Sequence, residues 1–532
     1  MPARAAILAC LLLVLALPAT AGAATVSATS GTLTYRGGSA ANDLTIGLDG
    51  GLYRVHDDRG VTAQAGCAQA GPRDATCPEA GIGRIAVSGE GGDDALRVLT
   101  PSAPSVNGGA GDDTLAVGDG GARLSGSSGD DTIAGGPGSE SVNGGDGNDR
   151  IAGGGGPDRL NGDQGTDQID GGPGDDVLRG GDGDDTLVGG GETDRVEGGD
   201  DEDVLDGGLG PDVLDGGRGT DTADYGDRSE TVIVDLDGNP DDGQVDEGDN
   251  VTNDVERIVG GAGPDRLTAI TGRRTLIGNA GDDVLHGGRG ADALQGGAGD
   301  DVLNGDISDD ELDGGEGTDT ADYTGRFDEV VLDLTKATAT LQRGNRTGPR
   351  AKTERDRLRS IENGRGTSRN DTLIGDAGPN VLQGGSGADL LSGGGGPDVL
   401  SGGAGRDVAT YRARRSGVRV SLDDVADDGS PGEGDDVRST VEDVLGGTGR
   451  DILLGNARRN GLNGGPGNDT IQGREGADRL TGGAGRDRVD AGPGRDLLAL
   501  RDGAVDTGIC GDGPDVAVAD RGDRLQGCEK RR

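Results

Sequence analysis

The chain has 532 residues, of which 114 are glycine, and its 97 acidic residues against 50 lysines and arginines give a formal net charge of −47. With one Phe and no Trp, a core built on aromatic side chains is excluded, and nucleic acid is excluded as a partner because phosphates need a positive face. Such a composition otherwise belongs to disordered chains, and only a strict periodicity argues against that here.

The first elements are not repetitive. Residues 1–24 have the form of a signal peptide: Arg4, an apolar run from Ile7 to Leu17, then Ala19-Thr20-Ala21-Gly22-Ala23-Ala24. The run is too short to span a bilayer. Cleavage is expected after Ala21 or Ala23, removing Cys10, so the mature chain is expected to be secreted and extracellular, without membrane insertion. Residues 25–88 hold strand-like runs, Leu33-Thr34-Tyr35 and Leu52-Tyr53-Arg54-Val55, and predict an N-terminal β cap.

A nine-residue phrase then takes over. One stretch runs Gly171-Gly172-Pro173-Gly174-Asp175-Asp176-Val177-Leu178-Arg179, and the phrase G-G-x-G-x-D-x-U-x, with U aliphatic, fills 108–224 without insertion or deletion. An outlying copy at 89–97 extends this first array to 89–225. Further arrays occupy 260–323, 366–411 and 446–499. Each of the first three ends in a related phrase, Thr222-Ala223-Asp224-Tyr225, Thr320-Ala321-Asp322-Tyr323 or Val408-Ala409-Thr410-Tyr411. Inserts at 226–259, 324–365 and 412–445 follow. They open on alternating apolar residues such as Val232, Val234 and Leu236, and close on pairs such as Val255/Ile258, Leu358/Ile361 and Val441/Val444. The Tyr is expected to cover the end of an array's core. The first and third inserts are acidic, as in Asp246-Glu247-Gly248-Asp249, and the middle one is basic, with Arg343, Arg346, Arg350, Lys352 and Arg355. Residues 500–532 are expected to cap the far end, since solenoids need atypical terminal turns.

Each part of the phrase has a physical role. Glycines allow sharp turns at positive φ, so backbone carbonyls can be aimed inward while the Asp at position six adds a carboxylate. Hard oxygen donors of both kinds suit Ca²⁺, whose coordination is flexible; Mg²⁺ demands a tighter octahedron, and soft metals find no thiolate or imidazole cluster. The aliphatic residue at position eight (Ile133, Ile151, Leu160, Leu178, Leu187, Leu205, Leu214) is core. One such residue in nine cannot offset the cost of ordering the backbone, and unneutralised rows of Asp repel, so cation binding and folding are expected to be one event. An EF-hand in the first insert is rejected. Asp235, Asp237 and Asn239 have the opening spacing, but Pro240 takes the glycine position and no Glu closes the loop.

The phrase resembles the RTX, or hemolysin-type, calcium-binding nonapeptide repeat family. The resemblance implies an all-β fold, a parallel β-roll or β-solenoid, which the organisation of this chain sets in four stacked arrays with β inserts and Cys-closed terminal caps. It also implies two nonapeptides per turn, with multiple Ca²⁺ ions held between stacked loops on one side. Roughly 15–20 divalent ions would offset most of the formal charge. The expected ligands are Asp113, Asp131, Asp149, Asp158, Asp167, Asp176, Asp185, Asp194, Asp203, Asp212 and Asp221; Asp265, Asp283, Asp292, Asp301, Asp310 and Asp319; Asp371, Asp389, Asp398 and Asp407; and Asp451, Asp469, Asp478, Asp487 and Asp496. Ala122, Arg274, Glu140, Asn380 and Asn460 depart from the pattern, so sites at these positions should be weak or absent. Family members exported through a C-terminal signal differ from this chain, whose expected signal is N-terminal.

Four cysteines remain in two local pairs, and disulfides Cys67–Cys77 and Cys510–Cys528 are expected in an exported chain; the spacing matches no common zinc site. Catalysis is not expected. His56 and His286 lie far apart, and neither H-E-x-x-H nor G-x-S-x-G occurs. Three roles stay open: a secreted calcium-binding structural or surface protein, a calcium-dependent adhesin or polysaccharide-binding module recognising cell-surface glycan, and a polysaccharide-active enzyme. The oligomeric state is not legible.

Overall fold

The computed structural model describes residues 22–245, 247–342 and 353–532. The signal-peptide segment up to Ala21 lies outside these residues, as do Asp246, Arg343, Arg346, Arg350 and Lys352. The chain forms two compact units, one ending at Asp221 and the other running Thr222–Arg532. Both are parallel β-solenoids, and the 3₁₀ turn Leu334–Lys336 is the one helical element among the described residues. No helix there is long and apolar enough to cross a membrane.

In the first unit, alternate nonapeptides build alternate sheets. Arg123–Ser128, Ser141–Asp146, Arg159–Gln164, Val177–Asp182, Arg195–Asp200 and Val213–Arg218 pair in parallel in one sheet. Thr132–Ala134, Arg150–Ala152, Gln168–Pro173, Thr186–Gly191 and Val204–Leu209 pair in the other. Leu160 stands on Leu178 and Ile151 on Ile169, so two nonapeptides make one turn. The second residue of each of these strands points inward, and Ile133, Ile151, Leu160, Leu178, Leu187, Leu205 and Leu214 are all buried. A narrow interior of one aliphatic side chain per strand explains why no large aromatic is needed.

The N-terminal segment is more than a lid. Ala24–Thr29 and Thr32–Arg36 form a hairpin, but Thr32–Arg36 also pairs in parallel with Arg84–Gly91, and Asp43–Asp49 pairs in parallel with Ala95–Leu99. It therefore begins the coil. Leu52–Asp57 and Asp74–Pro78 add antiparallel strands outside it, tied by the Cys67–Cys77 disulfide, whose Cα atoms are 4.3 Å apart.

In the second unit the inserts continue the coil with different connections. Val232–Val234 lies on Arg266–Thr268, Glu329–Asp333 on Thr372–Ile374, and Arg419–Ser421 on Ile452–Leu454. The closing apolar pairs Val255/Ile258, Leu358/Ile361 and Val441/Val444 are buried. The middle insert adds an antiparallel excursion, Glu329–Asp333 against Thr338–Gln342 and then Glu354–Arg359. The C-terminal segment also coils, with Thr507–Ile509 on Arg488–Asp490 and Val516–Ala519 on Leu497–Leu500. The Cys510–Cys528 disulfide ties its last turns, with Cα atoms 5.1 Å apart.

Candidate metal centres

The Asp at position six of each nonapeptide is buried at the corner where one strand turns toward the other sheet. Its Oδ1 accepts a hydrogen bond from the backbone N–H of the equivalent Asp one turn earlier. Asp131 N–H donates to Asp149 at 2.8 Å, Asp149 to Asp167 at 2.7 Å and Asp167 to Asp185 at 2.7 Å. A second ladder runs on the other side of the coil, Asp158 to Asp176 at 2.7 Å and Asp176 to Asp194 at 2.8 Å. Arrays two to four repeat the pattern, as in Asp283 to Asp301, Asp371 to Asp389 and Asp451 to Asp469, each at 2.8 Å.

The second oxygen is the informative one. Oδ2 of Asp113, Asp131, Asp149, Asp158, Asp167, Asp176, Asp185, Asp194 and Asp203 is buried and accepts no hydrogen bond from the protein. The same holds for Asp283, Asp292, Asp301, Asp310, Asp319, Asp389, Asp398, Asp407, Asp469, Asp478, Asp487 and Asp496. A buried carboxylate oxygen with no donor is costly unless a proton or a cation offsets it. Burial pushes these carboxyls up, against the lowering effect of the ladder hydrogen bond, and neighbouring carboxylates add to the rise. Asp131, Asp158, Asp185 and Asp203 reach about 7, and Asp310 reaches about 8.

The first residue of the unit makes room for this oxygen, and it is glycine at every open Asp named above except Asp496, where it is Ala491. A Cβ on Gly144 would lie 2.1 Å from Asp149 Oδ2 and 2.8 Å from the Gly162 carbonyl oxygen one turn on; on Gly180 it would lie 2.1 Å from Asp185 Oδ2 and 2.6 Å from the Gly198 carbonyl oxygen. Carboxylate and carbonyl oxygens thus converge on the bare face of a glycine. The glycines at positions two and four serve the conformation expected of them, with φ of +123° at Gly145 and +140° at Gly147. Hard, negative, underbonded oxygens in a small cradle fit a divalent cation such as Ca²⁺.

Not every unit has this form. At Asp265, Asp371 and Asp451 the Oδ2 accepts a backbone N–H four residues earlier, from Gly261, Thr367 and Gly447, at 2.7, 2.6 and 2.7 Å. Asn380 and Asn460 take the N–H of Asp376 and Asn456 in the same way, at 2.8 Å each, and Glu140 Oε2 takes that of Gly136. The position-two residue sets the difference. It has positive φ at Gly145, Gly181, Gly297, Gly385 and Gly465, where the carboxylate is left open, and not at Gly261, Thr367 or Gly447, where it is closed.

Sequence reasoning missed two sets of residues. Asp94, Asp506 and Asp515 belong to the ladders: Asp94 N–H donates to Asp113 at 2.7 Å, Asp487 N–H to Asp506 at 2.9 Å and Asp496 N–H to Asp515 at 2.7 Å. Asp94 sits in the outlying copy already visible in the sequence. The last two lie 19 residues on rather than 18, which hid them from a strict nine-residue phase. The second set is the exposed position-five residue, whose Oδ1 accepts from the following turn. Asp112 accepts from Asp130 N–H at 2.9 Å, Asp130 from Asn148 at 2.8 Å and Asn148 from Thr166 at 2.8 Å. Asn serves there as well as Asp, so the position calls for an acceptor and not a charge. In the first insert, Asp235, Asp237 and Asp241 gather their oxygens within 4.8 Å of one another at the surface, although the loop lacks the EF-hand pattern.

Paired acidic ladders on a glycine-cornered parallel coil define a nonapeptide β-solenoid with cation-type turns. The family described as RTX calcium-binding nonapeptide repeat matches residues 117–223 in overlapping copies, and again at 272–294, 286–321, 365–400, 383–410 and 463–498. The arrays of this chain are RTX repeats. No curated protein matches it.

Proposed function

We propose that this protein is a secreted calcium-binding β-solenoid with a structural or surface role, folding as it takes up Ca²⁺ between stacked turns. The observation that carries the reading is the row of buried Oδ2 atoms without a protein donor at the open position-six residues named above, nearly all facing the cradle of a first glycine. When bound, the ion supplies the positive charge that lets adjacent carboxylates coexist. The chain supplies carboxylate and carbonyl oxygens from consecutive turns. Circular dichroism during a calcium titration tests it: a coil-like spectrum in chelator should give way to β signal with Ca²⁺ and much less with Mg²⁺. A full β spectrum in chelator at neutral pH, unchanged by calcium, would overturn it. Adhesion to cell-surface glycan is a second reading, favoured by the exposed Phe327 of the middle insert, an aromatic face open to a ligand; retention on cell-wall polysaccharide only in calcium would support it.

A further inference from the structure

The three inserts share a side-chain arrangement that the nonapeptides lack. Each begins with Tyr-x-x-Arg, at Tyr225/Arg228, Tyr323/Arg326 and Tyr411/Arg414, and later holds Glu-x-Asp, at Glu247/Asp249, Glu354/Asp356 and Glu433/Asp435. The tyrosines are buried. Each hydroxyl donates to Oδ2 of its Asp at 2.9 Å. The guanidinium three residues on meets the Glu, with Arg326 Nη2 at 2.7 Å from Glu354 Oε2, Arg414 bonded to Glu433, and Arg228 Nη2 at 3.9 Å from Glu247 Oε1.

Asp356 and Asp435 are the next members of the carboxylate ladder, since their Oδ1 atoms accept the N–H groups of Asp310 and Asp398 at 3.1 Å. Their second oxygens, however, receive the tyrosine hydroxyl, and an arginine stands beside them. The ladder then stops at Asp435, whose own N–H goes to the Asp428 carbonyl. On the other side of the coil the ladder ends in a glutamate: Glu362 accepts from Asp319 at 2.8 Å and Glu442 from Asp407 at 3.0 Å. Eighteen residues beyond these stand Asn380 and Asn460, whose Nδ2 groups donate to the Glu362 and Glu442 carbonyls. Arg274 holds the same place after Glu256, with Nη2 donating to the Asn253 carbonyl at 2.7 Å. The first Asp of each following array (Asp265, Asp371, Asp451) has both oxygens taken by backbone N–H groups.

We propose that the ladder rungs at the inserts are ion-free partitions, in which a tyrosine hydroxyl, an arginine and backbone N–H groups satisfy the ladder carboxylates that cations satisfy elsewhere; the surface cluster of Asp235, Asp237 and Asp241 stands outside the ladders. The second unit then holds three calcium blocks that load separately: Asp283 to Asp319, Asp389 to Asp407, and Asp469 onward. This rests on the calcium reading of the open units. Within a block, neighbouring ions share carboxylates, so loss of one weakens the next; across a partition nothing is shared and the linkage ends.

Hydrogen exchange read by mass spectrometry across a calcium titration of the full chain tests it. In the double variant Asp389→Asn/Asp398→Asn, calcium-induced protection of 381–410 should vanish or need at least tenfold more calcium. The segments 275–316 and 461–499 should keep their wild-type midpoints. Midpoints that shift together on both sides of 412–445, or loss of protection throughout, would overturn the partition. As a second measurement, equilibrium dialysis should count the same number of ions for Asp371→Asn as for wild type, and fewer for Asp389→Asn; equal losses would overturn it. A wild-type chain that gains no protection with calcium anywhere would instead defeat the calcium reading itself.

Discussion

A methyl group on Gly144 would stand 2.1 Å from Oδ2 of Asp149. The two residues occupy one space, so Gly144→Ala must shift the carboxylate or the turn around it, as the unit of Ala491 has done while Asp496 keeps its ladder bond at 2.8 Å. The substitution is expected to cost about 1–3 kcal/mol, as overpacking does, and to weaken calcium uptake by the turns that share Asp149. Calcium-saturated thermal melts and dialysis counts check it, and an Ala variant with the wild-type ion count would show that the carboxylate is not held there.

Adjacent acids should differ sharply. Asp185 is buried with an open second oxygen, whereas Asp184 is exposed and its Oδ1 only accepts the Glu202 N–H at 3.0 Å. Asp184→Asn keeps that acceptor and should change stability by less than about 0.5 kcal/mol. Asp185→Asn should lower the number of bound ions and raise the calcium concentration needed for folding. Titrations of the two variants side by side give the comparison, and equal effects would contradict it.

Glu192 stands at position four, where most units have a glycine, at φ 77°. A left-handed backbone costs an L-residue about 1–2 kcal/mol, and part of the gain on removing that strain is returned as unfolded-chain entropy. Glu192→Gly is therefore expected to raise stability by about 0.5–1 kcal/mol in saturating calcium, measured by denaturant unfolding. A loss of stability would mean that the Glu side chain contributes there.

Acid should partly replace calcium. Burial raises Asp131, Asp158, Asp185 and Asp203 to about 7, whereas unfolded Asp titrates near pH ~4. Between these values the folded chain holds protons that the unfolded chain has released. In chelator, stability is therefore fullest below the window and is lost as pH rises through it. The β signal in chelator should grow on acidification from neutral toward pH 5, while half-saturation by calcium moves to higher concentration. A chelated chain that loses β signal on mild acidification would contradict this.

The coil was legible in the sequence because its period is local. Nine residues contain a whole corner and strand, so the aliphatic position, the turn glycines and the buried Asp register each recur where the structure uses them. The two disulfides were legible for the same reason, since each closes a short loop. What lay hidden depends on the neighbouring turn. The first glycine looks like any other turn glycine until Asp149 is seen filling the space beside Gly144. Arg274, Asn380 and Asn460 look like decay of the pattern, yet each follows an insert glutamate by one turn, and no nine-residue window contains both partners. Asp506 and Asp515 were lost to one extra residue in the spacing. The tyrosines were expected to close the core and are buried, but their hydroxyl bonds to Asp249, Asp356 and Asp435 join positions 24 or 33 residues apart.

The pairing of Leu160 with Leu178 and of Ile151 with Ile169 gives the molecule a parity. Removing eighteen residues from the first array, such as 162–179, takes out one storey and rejoins like with like. Removing nine would swap left for right in the rest of that array and set each sheet's strands on the wrong neighbour. Such a protein can lengthen or shorten by duplication and deletion of genetic text, but only in even steps.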